Sequence, residues 1–125
     1  MARNLTLLTD LYELTMMQGY FFEKDRNETV IFDAFYRTNP CGNGFAVCAG
    51  LEQVIDLIKN LKFEKEDVDY LRSTGIFKEE FLQYLSEFKF TGDVYAIPEG
   101  TYMFPREPVV KVIAPIMQAQ LVETA

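Results

Sequence analysis

At 125 residues, with 49% apolar and 14% aromatic side chains, the chain carries enough apolar surface for one globular domain and too much for a disordered segment. Its formal charge is −7 and it has no run of Lys or Arg, which excludes a nucleic-acid backbone as partner, because such binding rests on clustered cations. No apolar run approaches membrane-spanning length, and Met1-Ala2-Arg3-Asn4 leads into a stretch broken by Asp10 and Glu13, without the apolar core or cleavage site of a signal peptide.

The first predicted element is a helix opening at Asp10. Asp10 followed three residues later by Glu13 fits a capping box in which Asp replaces the usual Ser or Thr, with Leu7 and Leu8 as apolar anchors ahead of it. Tyr12 then falls in the first turn. Periodicity alone puts Tyr12, Met16, Met17 and Tyr20 in a core stripe; the alternative is a functional phenol at the helix start. Glu28 to Tyr36 reads as a strand with Val30, Phe32, Ala34 and Tyr36 on one face and Ile31, Asp33 and Phe35 on the other, a near-continuous apolar run expected to be covered on both sides. Arg37 to Gly44 follows as a Pro- and Gly-containing loop.

From Ala46 to Leu61 the apolar positions Val47, Leu51, Val54, Ile55, Ile58 and Leu61 recur at helical steps. Two shorter helices are expected over Glu66 to Ser73, closed by Gly75, and Lys78 to Phe88, with Phe81, Leu82, Leu85 and Phe88 facing inward. From Gly92 to Ile113 short strands alternate with Pro-containing breaks, which reads as a compact antiparallel β-unit of hairpins. Pro115 to Ala125 looks like a helix just beginning, without a C-terminal cap.

The usual catalytic constellations are absent: there is no His, no phosphate-cradling Gly-rich loop and no Gly-x-Ser-x-Gly elbow. Cys41 and Cys48 match neither a metal-ligand spacing nor a disulfide scaffold and read as reduced thiols in a cytoplasmic protein. Asn4-Leu5-Thr6 and Asn27-Glu28-Thr29 spell glycosylation acceptors but, with no secretory route, read as chance matches. The Gly42-Asn43-Gly44 turn serves either an approaching anion or a plain strand-to-helix turn, and Arg37 at a strand end either grips a phosphate bidentately or neutralises a nearby Asp. Lys111, between Val110 and Val112, reads as a strand lysine; a lipoyl-like carrier would need it at an exposed hairpin tip. Glu66-Asp67 and Glu79-Glu80 read as solvated helix faces.

Several motifs in order carry a resemblance: Leu7 to Tyr20, Phe35-Tyr36-Arg37-Thr38-Asn39-Pro40, Gly44 to Glu52, Phe90 to Thr101, then Pro108 and Ala114-Pro115. Together they resemble the N-terminal region of the nicotinate phosphoribosyltransferase family over nearly the whole chain. The resemblance implies an enzyme of NAD salvage that forms nicotinate mononucleotide and pyrophosphate from nicotinate and phosphoribosyl pyrophosphate, driven by ATP hydrolysis through a phosphohistidine, with Mg²⁺. That histidine is not in this chain.

The family's architecture implies an α+β fold, one domain over 1–125. It is an N-terminal open sandwich with helices and a compact barrel-like antiparallel β-unit, lacking the family's α/β barrel, which would start near residue 115. Carried over by position, Tyr12 looks like the tyrosine that stacks on the nicotinate ring across a homodimer interface, Asp10 holds the helix start and offers a substrate-side hydrogen bond, and Arg37 contacts a phosphate. No metal ligand falls in this chain, and the fragment alone is expected to bind no cofactor and to be inactive. The alternative from another class is a stand-alone binding or regulatory module with the same sandwich.

Overall fold

The computed structural model describes residues 4–24 and 26–124. The Met1-Ala2-Arg3 start, Asp25 and Ala125, and with them the two ends of the expected 1–125 domain, lie outside the described residues. In chain order the elements are α1 (Leu11–Phe22), β1 (Thr29–Ala34), a 3-10 turn (Pro40–Gly42), β2 (Ala46–Val47), α2 (Leu51–Asn60), α3 (Lys65–Ser73), α4 (Glu79–Ser86), β3 (Asp93–Ala96), β4 (Tyr102–Met103), β5 (Val110–Pro115) and α5 (Ile116–Leu121).

Strand β5 is the middle of a three-stranded antiparallel sheet. Its register pairs Thr29 with Pro115 and Ala34 with Val110 on one side, and Asp93 with Ile113 and Ala96 with Val110 on the other. Strands β2 and β4 form a separate two-stranded ribbon, extended by bonds from Cys48 N–H to Thr101 O (2.9 Å) and Gly100 N–H to Cys48 O (2.8 Å). The expected self-contained, barrel-like β-unit is therefore corrected: its strands pair with β1 and β2 from the first half of the chain, and both sheets are open. With β5 flanked by β1 and β3, the outer edges of those two strands do not meet, so the sheet cannot close.

Side chains alternate across the strands, so Val30, Phe32, Val94, Val110, Val112 and Ala114 line one face. That face packs on Val54 and Ile58 of α2 and on Ala119 and Val122 at the chain's end. The opposite face is open: Ile31 is 58% exposed, Tyr95 is exposed too, and Lys111 reaches Asp33 at 3.5 Å. Among the described residues the expected two-sided cover of β1 is thus not met, because the helices lie on a single face. Lys111 is a strand residue as expected, in the middle of the sheet and away from any hairpin tip.

A second core is purely helical. Leu14 and Met17 of α1 meet Val68 and Leu71 of α3, Phe81, Leu82 and Leu85 of α4, and Met117 and Leu121 of α5, with Phe63, Phe77 and Phe88 filling between. Helix α3 falls where expected, α4 buries the expected stripe, and Gly75 takes the left-handed φ of +70° that ends α3. Helix α2 starts later than expected. Gly50 at φ +100° breaks the helical run, leaving Ala46 and Val47 to pair as a strand, and Glu99 Oε1 accepts the N–H groups of Gly50 and Glu52, each at 3.1 Å, to cap the helix from the β-segment.

At α1 the expected capping box is absent. Asp10 has N-cap backbone angles but its side chain makes no cap bond. Glu13 turns inward, is 0% exposed, and accepts a hydrogen bond from Thr124 Oγ1 at 2.5 Å, while its Oε2 has no partner among the described residues. The reciprocal box forms instead at α3, between Glu64 and Asp67. The inward face of α1 therefore runs through Glu13, Leu14 and Met17, and Tyr12 and Met16 fall outside the core stripe.

Two consequences are measurable. A Cβ placed on Gly92 would lie 2.4 Å from Ala114 Cβ and 2.7 Å from Ile113 O, against the central strand. Gly92→Ala is expected to lower stability by about 1–3 kcal/mol, read from the urea midpoint, and an unchanged midpoint would contradict this packing. Burial raises the Glu13 carboxyl above its ordinary value of 4.5; the Thr124 hydroxyl opposes this, and the Glu123 and Asp10 carboxylates add to it. The folded chain holds that proton more tightly than the unfolded one. The stability it contributes is complete below 4.5 and is lost as pH rises through the raised folded value. Against the native chain, Glu13→Gln should gain in relative stability as pH rises from 4.5 through the raised folded value. A difference constant across that range would show that Glu13 does not titrate in the fold.

Candidate functional site

The first turn of α1 presents Tyr12, 47% exposed, on the side facing away from the helical core. Its phenol donates to Glu123 Oε1 at 2.9 Å, and Gln120 Nε2 donates to Glu123 Oε2 at 2.7 Å. The acceptor carboxylate stands just beyond α5, a helix whose residues Met117 to Leu121 are all buried, so a surface phenol is tied to an anchored element. The hydrogen bond to Glu123 is the main cause of a phenol pKa raised above 10.0, and desolvation and the nearby Glu123, Glu13 and Asp10 carboxylates act in the same direction. At neutral pH Tyr12 is a neutral donor with an aromatic face toward solvent.

Asp10 lies two residues before Tyr12, exposed, its carbonyl accepting the Glu13 N–H at 3.1 Å. Structure and sequence agree in putting Asp10 and Tyr12 on one helix start. Arg37 is elsewhere, exposed in the bend after the opposite end of β1 from the one that adjoins α5. That bend is held to the β4 segment by the Tyr36 hydroxyl, 2.7 Å from Met103 O, and by the Arg106 N–H, 2.8 Å from Tyr36 O. No hydrogen bond or ion pair joins Arg37 to Tyr12 or Asp10 among the described residues. The loop beyond contains Cys41 and Gly42 at φ +55° and +71°, a tight turn closed by Asn43 N–H to Pro40 O at 3.1 Å.

Sequence reasoning did not single out Glu123, Gln120 or Thr124, and it gave Glu13 a capping role. No local pattern could have found these partners, because Tyr12 and Glu123 are 111 positions apart, as are Glu13 and Thr124. Around Tyr12, Leu8, Leu11 and Met16 are exposed as well. A second exposed apolar group sits on the β2–β4 ribbon, where Phe45 and Tyr102 pack edge to face at 4.8 Å beside Val47 and Phe104. Among the described residues no group of three or more His, Cys, Asp or Glu side chains is gathered to hold a metal ion, and no helix is long and apolar enough to cross a membrane.

Comparison with known proteins gives one consistent answer. Residues 7–125 match the nicotinate phosphoribosyltransferase N-terminal domain. The chain is 48% identical over 118 residues to a nicotinate phosphoribosyltransferase of Mycobacterium tuberculosis, covering 94% of this chain and 25% of that protein. It is 41% identical over 122 residues to the Bacillus subtilis nicotinate phosphoribosyltransferase, covering 98% and 25%. The crystal structure of human nicotinic acid phosphoribosyltransferase superposes with a TM-score of 0.83 at 32% identity, over 93% of this chain and 24% of that one. The chain thus spans about a quarter of the length of the curated relatives it matches. A mixed helix-and-sheet lobe with a phenol tethered at its helix start, matched along residues 7–125, belongs to the nicotinate phosphoribosyltransferase family as its N-terminal domain.

Proposed function

We propose that this chain is the front lobe of a cytoplasmic, homodimeric enzyme of NAD salvage. That enzyme joins nicotinate to phosphoribosyl pyrophosphate, giving nicotinate mononucleotide and pyrophosphate, coupled to ATP hydrolysis. The observation that carries the reading is Tyr12: an exposed aromatic face whose hydroxyl is already engaged by Glu123, in a chain matched to the family along residues 7–125. Tethering the hydroxyl orients the ring and leaves its face for a flat heteroaromatic ring, a contact worth about 0.5–1.5 kcal/mol beyond area burial.

The electrostatics limit what this lobe does. Asp10, Glu13 and Glu123 surround the phenol, and the chain carries −7 overall, so the nicotinate carboxylate and the phosphates of phosphoribosyl pyrophosphate must find their cations away from Tyr12. Arg37 is the phosphate contact proposed from this chain, and Asp10 offers an acceptor to a donor on the substrate side. In this reading Mg²⁺ and ATP are held by residues outside this chain, and the barrel, with the second subunit, completes the site over the exposed Leu8, Leu11, Tyr12 and Met16.

In the full-length enzyme, Tyr12→Phe keeps the stacking face and should change the nicotinate KM by no more than about 3-fold, whereas Tyr12→Ala should raise it about 10-fold. Arg37→Ala should raise the phosphoribosyl pyrophosphate KM and spare that for nicotinate. An unchanged nicotinate KM in Tyr12→Ala removes the ring-stacking role, and an unchanged phosphoribosyl pyrophosphate KM in Arg37→Ala makes that residue structural. The 125-residue chain by itself should be inactive; phosphoribosyl transfer by the purified chain would show that the remaining sequence of the relatives is not required.

A further inference from the structure

Glu13 is the least expected residue in the helical core. A carboxyl with 0% exposure, on the same helix as the buried Leu14 and Met17, stands where an apolar side chain would pack without a desolvation cost, and one of its oxygens has no partner among the described residues. A buried polar group of this kind calls for a reason. Among the described residues its single side-chain partner is Thr124, the residue after Glu123. The two cross-links between α1 and the end of the chain are therefore adjacent at both ends: Tyr12 to Glu123 at 2.9 Å, and Glu13 to Thr124 at 2.5 Å.

We propose that Glu13 and Thr124 are positioning residues for Tyr12: the buried carboxylate fixes the segment just past α5 through Thr124, and so holds Glu123 where it receives the Tyr12 phenol. This deepens, and rests on, the proposed role of the Tyr12 ring. The geometry separates the two links by environment. Tyr12 and Glu123 are both exposed, and an exposed hydrogen bond competes with water and restrains little by itself. Glu13 is out of water, so its bond to Thr124 has no solvent competitor on the carboxylate side. Gln120, buried on α5, fixes the other oxygen of Glu123 at 2.7 Å, so the acceptor is held from the helix before it and from the residue after it.

The test uses the full-length protein labelled with 3-fluorotyrosine, with the Tyr12 signal assigned by its loss in Tyr12→Phe. Thr124→Val removes the hydroxyl at nearly constant volume on an exposed residue, with circular dichroism checking that the fold is retained. It should move or broaden the Tyr12 fluorine resonance and raise the nicotinate KM about 2- to 3-fold, no further than Tyr12→Phe does, with kcat little changed, the low end of what is expected when one side chain must be ordered on binding. Glu13→Gln keeps an oxygen to accept from Thr124 and should leave the resonance in place, whereas Glu13→Leu should reproduce Thr124→Val. In a Tyr12→Phe background, which lacks the link to Glu123, Thr124→Val should add nothing to KM. A Tyr12 resonance unmoved by Thr124→Val, or an equal KM effect in both backgrounds, overturns the positioning role. A resonance that moves while KM stays constant overturns instead the ring-stacking role of Tyr12.

Discussion

Helix α5 is the constraint on which the rest of the lobe depends, because it belongs to both cores. Met117 and Leu121 face the helical cluster of α1, α3 and α4, while Ala119 and the adjoining Val122 face the sheet. Gln118, buried between them, is satisfied by Thr91, whose N–H donates to its Oε1 at 2.7 Å and whose hydroxyl accepts from its Nε2 at 3.1 Å. That pair secures the entrance to β3 against the helix that follows β5 directly. Two apolar clusters that would each be small are thereby made one unit. Helix α1 lies along α5 as well and carries Tyr12 and Glu13 to its end.

What was legible in the sequence follows the range over which each interaction acts. The extent of α3 and the stripe of α4 could be read because helical periodicity is local, and Gly75 because a left-handed helix end has a one-residue cause. Tyr12 was placed on its first turn correctly, and the resemblance named the family that the comparisons show. The misreadings share a cause. Asp10 and Glu13 have capping-box spacing, but Glu13 is drawn inward by Thr124, 111 positions away, and no local rule weighs that partner. Val47 fits a helical stripe, yet it pairs with Tyr102 in a two-residue strand set up by Gly50.

The open face of the sheet makes the same point from the other side. Ile31 and Tyr95 alternate with the buried Phe32 and Val94, so the apolar run in β1 implied a cover that the described residues do not provide. Whether an apolar strand face is covered depends on how many helix layers the topology supplies, and here α2 and α5 supply one. Asp33 and Lys111 soften that face with an exposed ion pair at 3.5 Å, a contact that contributes little stability but keeps opposite charges in register across β1 and β5.

In the proposed reading, the placement of charge divides how anionic substrates would be handled. A site that handled phosphates at Tyr12 would bring them beside Asp10 and Glu123, against like charge in a chain that is already acidic. The residues there suit a different task. A phenol held neutral by an accepting carboxylate offers an uncharged aromatic face, and acidic neighbours favour the electron-poor ring of a pyridine over the anionic groups attached to it. On that proposal, recognition of the ring and neutralisation of the anions would fall to different surfaces. The distance of Arg37 along the fold from Tyr12 fits that division better than a single phosphate-and-ring pocket within this lobe.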